Sequence, residues 1–388
     1  MGKAFNVAKS RRLVESHGHD GFTNELVNAI EKKQLDYKDL SIRDLYEVYC
    51  GRDALDSLDP RRKSGGRQLT EAADAVSSAA FTNITGQLLV NKVKDEYQTQ
   101  TRLTSELFQE YPTNIMQGEK IPGIGGLGDV AEVVPEGKAF PVVGVNEEWV
   151  LAPTVKKRGF EVHVTREAVV QDLTGVLLAR CGNGAKYLGI TNEKRALDVA
   201  TGIVNNYSRN GTATNTYLTS GAYINSQANP LVNNPTYASI QNIDTLVSNI
   251  TDPNTGEPIA FDMSGLVLIV PTALMNVAEV LITASQVRQF DTNGTGAGAV
   301  ATYAPTPIGG RPFKIASSPY VAKRSGSNTT WFAGQPKNAF MRSVVWDIEQ
   351  TDITATAGIA SRMIVAAYQV SVADEYWVYE PRYMTKNT

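Results

Sequence analysis

The chain has 388 residues, 42% of them hydrophobic, which predicts two or three sub-domains around a sizeable core or two smaller ones. Its 37 basic and 40 acidic residues leave a net charge of -3, excluding a global field that would gather nucleic acid or anionic membrane. Two cysteines, Cys50 and Cys181, exclude a disulfide framework and a cysteine-rich zinc site, and no run approaches the ~20 apolar residues that span a bilayer.

The sequence therefore predicts a soluble protein of a reducing compartment with no standard export signal. Residues 1–67 are charge-rich and read as short helices. "TNELVNAIEKKQ" places Leu26, Val27 and Ile30 on one side, and "SIRDLYEVYCG" does the same with Ile42, Leu45, Tyr46 and Tyr49 before Gly51 stops it. "DPRRKSGGRQ", residues 59–68, combines Pro, paired Gly and a basic run and predicts a linker. From Thr70, "TEAADAVSSAAFTNITGQLLVNKVKDEYQ" predicts one helix with small residues on a face.

"YPTN" then leads into "GEKIPGIGGLGD". Two alternating runs, "DVAEVV" and "AFPVVGV", joined by the turn signal "PEGK" at 135–138, predict a hairpin. Its return passes into "GVNEEWVLAPTVKKRGFEVHVTREAVV", residues 144–170. This stretch alternates through Phe160, Val162 and Val164, then takes up at Thr165 a helical rhythm carried by Ala168, Val169 and Leu173. The helix is expected to continue, with interruptions, to about Val204, with Gly182, Gly184 and Gly189 bending it or admitting another backbone.

Residues 205–235, rich in Asn, Thr, Ser and Tyr, predict an ordered loop. Beyond it "IQNIDTLVSNI" and "ALMNVAEVLIT" read as helices, "GLVLIVP" and "FKIASSPYV" as strands, and "TNGTGAGAVATYAPTPIGG", 292–310, as a flexible loop. "AFMRSVVWDIEQTDI" and "MIVAAYQVSVADEYWVYEP" are long alternating strands.

Candidate chemistry is sparse. Gly123, Gly125 and Gly128 match G-x-G-x-x-G, and Glu148 follows at the spacing of a ribose-binding acid. A dinucleotide fold, however, needs a buried strand before the glycines and a helix after them, and here alternating "DVAEVV" follows, so a hinge is expected. His17 and His19 read as solvated residues of a mobile leader, and His163 as a polar strand position without a nucleophile beside it. The N-x-S/T triplets at Asn83, Asn206, Asn210, Asn249, Asn293 and Asn328 read as the chance yield of an Asn- and Thr-rich chain. No catalytic, cofactor or metal site is expected. An isolated two-stranded ribbon is marginal in water and has unpaired edges, so the hairpin predicts a partner, and another copy engaged head-to-tail supplies one.

The order of elements from about Thr70 to Tyr383 resembles the major capsid proteins of tailed phages, the Hong Kong 97-type fold. The stretches that carry it run from "GEKIPGIGGLGDVAEVVPEGKAFPVVGVNEEWVLAPTVKKRGFEVHVTREAVVQDLTG" through "NEKRALDVATG" to "FAGQPKNAFMRSVVWDIE" and "IVAAYQVSVADEYWV". The resemblance implies an α+β chain with an N-terminal arm at 68–117, and an extended E-loop hairpin with peripheral-domain strands at 118–164. It further implies a spine helix and connecting loop at 165–231, an axial domain at 232–335 and returning peripheral strands at 336–388. Residues 1–67 form a helical extension without a counterpart.

By the same resemblance the protein is a major capsid protein of a phage or prophage. Its copies would form hexamers and pentamers of an icosahedral shell around double-stranded DNA held non-specifically, with a portal and a scaffold or maturation protease as further partners. It would assemble in the host cytoplasm and reside in the virion, without a membrane or cofactor. An encapsulin-type nanocompartment shell is the alternative, and a β-rich enzyme or binding module the third reading. The residues expected at contacts between copies are Val130, Val133, Pro135, Glu136, Gly137, Lys138, Phe140, Trp149, Arg158 and Arg166. No Lys–Asn cross-link is predicted.

Overall fold

A computed structural model describes residues 7–32, 34–35, 40–51, 88, 91–97, 102–123, 133–138, 148–165, 169, 176–221, 223–231, 238–252, 256–258, 265–283, 286–290, 301–305, 313–353 and 364–388. The chain divides into two compact units, each assembled from three separated segments. The first takes Met1–Thr101, Lys157–Thr191 and Trp346–Ala373; the second takes Arg102–Lys156, Asn192–Val345 and Asp374–Thr388.

In the first unit the alternation read from sequence forms the strand Lys156–Thr165, with Phe160 and Val162 half-buried, Val164 buried, and Glu161 and His163 facing water. Its neighbour in the sheet is the long strand Ile364–Val378. Two apolar clusters form here. One joins Phe160, Leu188 and Ile348 to Val93, Tyr97, Ala185 and Val370. The other closes Val164, Val169 and Tyr368 under two N-terminal helices, Val7–Glu31 and Ile42–Cys50.

The first of these helices is far longer than expected, and it contains both leader histidines. His19 stacks on Tyr49 with ring centroids 5.5 Å apart, correcting its reading as a solvated leader residue, whereas His17 on the same helix is exposed as expected. The reason is local: Phe22, Leu26 and Ile30 anchor the helix and carry His19 with them. Of the helix expected from Thr70, residue 88 and residues 91–97 are described and helical; the linker at 59–68 lies outside the described residues.

The long helix is Val176–Ala200, 25 residues, or about 37 Å at ~1.5 Å per residue. The strand holds to Thr165, Val169 is helical, and the remaining residues between lie outside the description. It stops before Val204 because Gly202, at φ 74, reverses the chain. The Ile203 N–H then donates to Asp198 O at 2.9 Å and the Gly202 N–H to Val199 O at 3.1 Å, the paired bonds of a Schellman stop. Side chains rather than a backbone use its bare face: Lys92 and Glu96 meet Gly182, and the Phe160 ring meets Gly184.

A four-stranded and a five-stranded sheet lie in the second unit. Lys120–Pro122, Trp149–Leu151, Tyr207–Arg209 and Thr212–Thr214 form an antiparallel sheet in that order. Its last two strands fall in the expected loop, joined by Asn210 at φ 49 and Gly211 at φ 81, the backbone of a type I′ hairpin turn. The other sheet runs Lys314–Ser317, Val267–Val270, Trp331–Gly334, Met384–Asn387, Ser226–Gln227. "VLIV" is buried on both faces: Leu268 and Val270 meet Ile240, Ile243 and Val247 of the helix Ala238–Ser248, while Ile269 meets Phe332, Tyr376 and Trp377.

Two expectations are corrected here. Residues 301–305 of the expected flexible loop form the strand Ala301–Pro305, paired antiparallel with Gln286–Phe290; the β-favouring "ATY" outweighs the glycines before it. "FKIASSPYV" is a strand only to Ser317, because Ser318 caps a helix, Pro319–Ser325, with Pro at its start.

Candidate assembly surfaces

The turn Pro135–Lys138 forms as its composition dictates. The Lys138 N–H donates to Pro135 O at 3.1 Å, and Gly137, at φ 84, supplies the positive φ that a type II turn needs at its third residue. All four residues are exposed, and Val133 beside them is 96% exposed. Val130, Phe140 and Arg166 lie outside the described residues.

Trp149 is half-buried and engaged within its own unit. Its N–H donates to Asn210 Oδ1 at 3.0 Å, its carbonyl accepts from the Asn210 N–H at 2.9 Å, and Lys120 Nζ sits 4.3 Å above its ring. Arg158 is half-buried on the strand Lys156–Thr165 of the first unit. Glu148, at the spacing of a ribose acid, instead pairs with Arg209, while the strand before Gly123 is three residues long and antiparallel to its neighbour.

Sequence reasoning missed other apolar surface. Met275 and Val280 are exposed on the helix Met275–Thr283, whose Ala278 and Leu281 face the core. Six of the nine residues of "MNVAEVLIT" are apolar, more than one face of a helix buries, which is the signal that was available. Ile115, Met116 and Leu151 are also exposed, drawn close by bonds from Val155 N–H to Met116 O and from Ala152 N–H to Glu119 O, both 2.8 Å. A cleft of about 560 Å³ opens among Glu106, Val267, Lys314, Ile315, Pro336 and Lys337, with two exposed lysines beside an apolar lining.

Polar groups in the interior lock the frame that carries these surfaces. Asp374 is fully buried and divides its oxygens: Oδ1 accepts from Arg195 Nη1 at 2.9 Å and Oδ2 from Arg342 Nε at 3.0 Å. Arg195 also reaches Glu375 at 3.0 Å, Arg342 reaches Glu110 at 3.1 Å, and both guanidinium groups lie over Tyr376. Buried Arg382 grips Glu380 with two bonds of 2.7 Å.

Asparagines complete the frame. Asn206 Nδ2 donates to Tyr376 O at 2.8 Å, and its Oδ1 accepts from the Val378 N–H at 3.1 Å, mimicking a strand partner. Asn225 Nδ2 points at the carbonyls of Thr216, Pro381 and Met384, and its Oδ1 accepts from the Leu218 N–H at 2.7 Å.

The second unit is thus an internally hydrogen-bonded frame whose surface exposes apolar side chains and the turn at 135–138. The chain belongs to the phage capsid protein family, whose model matches residues 148–387, more than half of the sequence. Its fold is α+β, and the family match makes it a capsid-forming structural protein.

Among solved structures it is similar to the virus-like particle of Pyrococcus furiosus, with 11% identity, 78% of this chain and 98% of that chain covered, and a TM-score of 0.43. It is also similar to a structure of Microbacterium phage Oxtober96, with 12% identity, 74% and 90% covered, and a TM-score of 0.44. The capsid of a native GTA particle matches with 9% identity, 74% and 89% covered, and a TM-score of 0.43. At these values the assignment stands on the family match alone. No curated protein matches the chain.

Proposed function

We propose that the protein is the major capsid protein of a tailed phage or prophage. Its copies join as hexamers and pentamers into an icosahedral shell that encloses double-stranded DNA. The observation that carries this reading is the family match over residues 148–387. The exposed turn at 135–138 adds a physical motive, since Val133 projects almost wholly into water and gains by burial against a neighbour at ~25 cal/mol per Å².

In this reading residues 118–164 carry the hairpin that reaches a neighbouring copy, 165–204 the spine helix, and 232–335 the part nearest the capsomer axis. Val133, Pro135, Glu136, Gly137 and Lys138 meet the adjoining subunit. Assembly takes place in the host cytoplasm with a portal and a scaffold or protease. Negative-stain microscopy of the purified protein tests the reading. Closed particles of uniform size are expected; a chain that stays monomeric at high concentration, with and without the neighbouring gene products, would refute it.

A further inference from the structure

The family match begins at residue 148, so the N-terminal helices lie outside it and need their own explanation. A separable scaffold or trailing arm would keep its apolar residues to itself or have few. Here Phe22, Leu26 and Ile30 of the first helix, and Ile42, Leu45, Val48 and Tyr49 of the second, are each at most 7% exposed. They share one cluster with Val164 of the strand Lys156–Thr165 and Tyr368 of the strand Ile364–Val378. Both of these strand residues lie within the family-matched region. Val164 and Tyr368 are at most 2% exposed, and the two helices supply seven of the twelve buried residues of their cluster.

The helices are also tied to each other. Arg11 donates to Glu47 O through Nε at 3.3 Å and Nη2 at 3.1 Å, and Thr23 Oγ1 lies 2.8 Å from Tyr49 OH. A kink at Gly18, φ 73 and ψ 175, divides the first helix so that Val7, Leu13 and Val14 ahead of it also pack against the cluster. The opposite side shows Lys9, Arg12, Glu15, Asn24, Glu25 and Asn28 to water. A polar outer face over an apolar inner face is the signature of a cover, completed within one chain.

We propose that residues 7–51 are a permanent cover of the first unit, retained in the assembled particle, and not a scaffold that is shed. The cover itself stands apart from the shell reading; only its retention in particles rests on that reading. The test introduces a protease recognition sequence into residues 59–68 of the full chain and cuts the folded subunit. The N-terminal fragment is expected to co-elute with the remainder on gel filtration and to part from it only in denaturant. Release accompanied by precipitation of the remainder supports the proposal as well, whereas release from a remainder that melts at its original temperature overturns it.

Phe22→Ala in the uncut chain is expected to lower the melting temperature by on the order of 10 °C, and an unchanged melting temperature overturns the proposal. Where particles form, the intact mass of their subunits is expected to include residues 7–51. Particles built from subunits that lack them refute the retention. Absence of particles altogether refutes the shell reading and leaves the cover to the cleavage result.

Discussion

Asp374 is the residue whose loss should be felt most, because two guanidinium groups of which Arg342 is itself buried depend on its two oxygens. Asp374→Ala is expected to cost about 3–5 kcal/mol, read as a lower denaturant midpoint; a loss below about 1 kcal/mol would show that Glu375 and Glu110 suffice. Asn225→Leu keeps the volume but strands three carbonyls and the Leu218 N–H, and is expected to cost roughly 3 kcal/mol by the same measurement. Tyr207, Tyr217 and Tyr223 hold their phenol protons more tightly than usual. Burial is the first cause for each, with the Glu380 carboxylate adding to it at Tyr207 and Tyr223. Because their folded values lie above the ordinary phenol value of about 10, the stability they contribute is complete below that pH and is lost as pH rises through the folded values. Absorbance at 295 nm should therefore show these three ionising together with alkaline unfolding; their titration ahead of unfolding would contradict it. None of these roles was legible in the sequence, where Asp374 is one carboxylate in an alternating strand and Asn225 one amide in a polar stretch. Their partners come from remote segments, and a buried polar residue looks like a surface one until its partner is known.

Elements were far more legible where period and punctuation agreed. The alternation of 156–165, the apolar run at 267–270 and the helix at 238–248 stand as read, because side-chain direction is fixed by the backbone period. Asn210-Gly211 is a hairpin signal whose flanking strands, Tyr207–Arg209 and Thr212–Thr214, are too short to show alternation in the sequence. The pairing of Gln109–Pro112 with Met341–Val344 had no local signal at all. For the hairpin expected at 129–145, of which residues 133–138 are described, replacement by a short Gly-Ser linker is expected to leave a cooperatively melting subunit and to abolish closed shells. Shells of normal size would show that the ribbon does not tie copies together, and an unfolded subunit would place it in the core.

At the scale of the molecule, the near balance of charge carries the third kind of expectation. Isolated protein should bind duplex DNA weakly, without sequence preference and less as salt rises, measured by fluorescence anisotropy at physiological ionic strength; a preference of tenfold or more for one sequence would contradict it. Of the basic leader residues, Arg11 is already engaged with Glu47, while Lys9 and Arg12 face outward. Two units drawn from three segments each were not legible, because their integrity lies in contacts between residues hundreds of positions apart. That interleaving also sets a clock. The strand Met384–Asn387 sits between Trp331–Gly334 and Ser226–Gln227, so the ribosome releases one edge of the five-stranded sheet long before the strand that joins it to the rest. At roughly 5–20 residues per second the wait is on the order of ten seconds, during which Ser226 and Gln227 have no strand to pair with. A nascent chain thus has no finished second unit to offer a growing lattice, and translation itself separates the making of a subunit from its use.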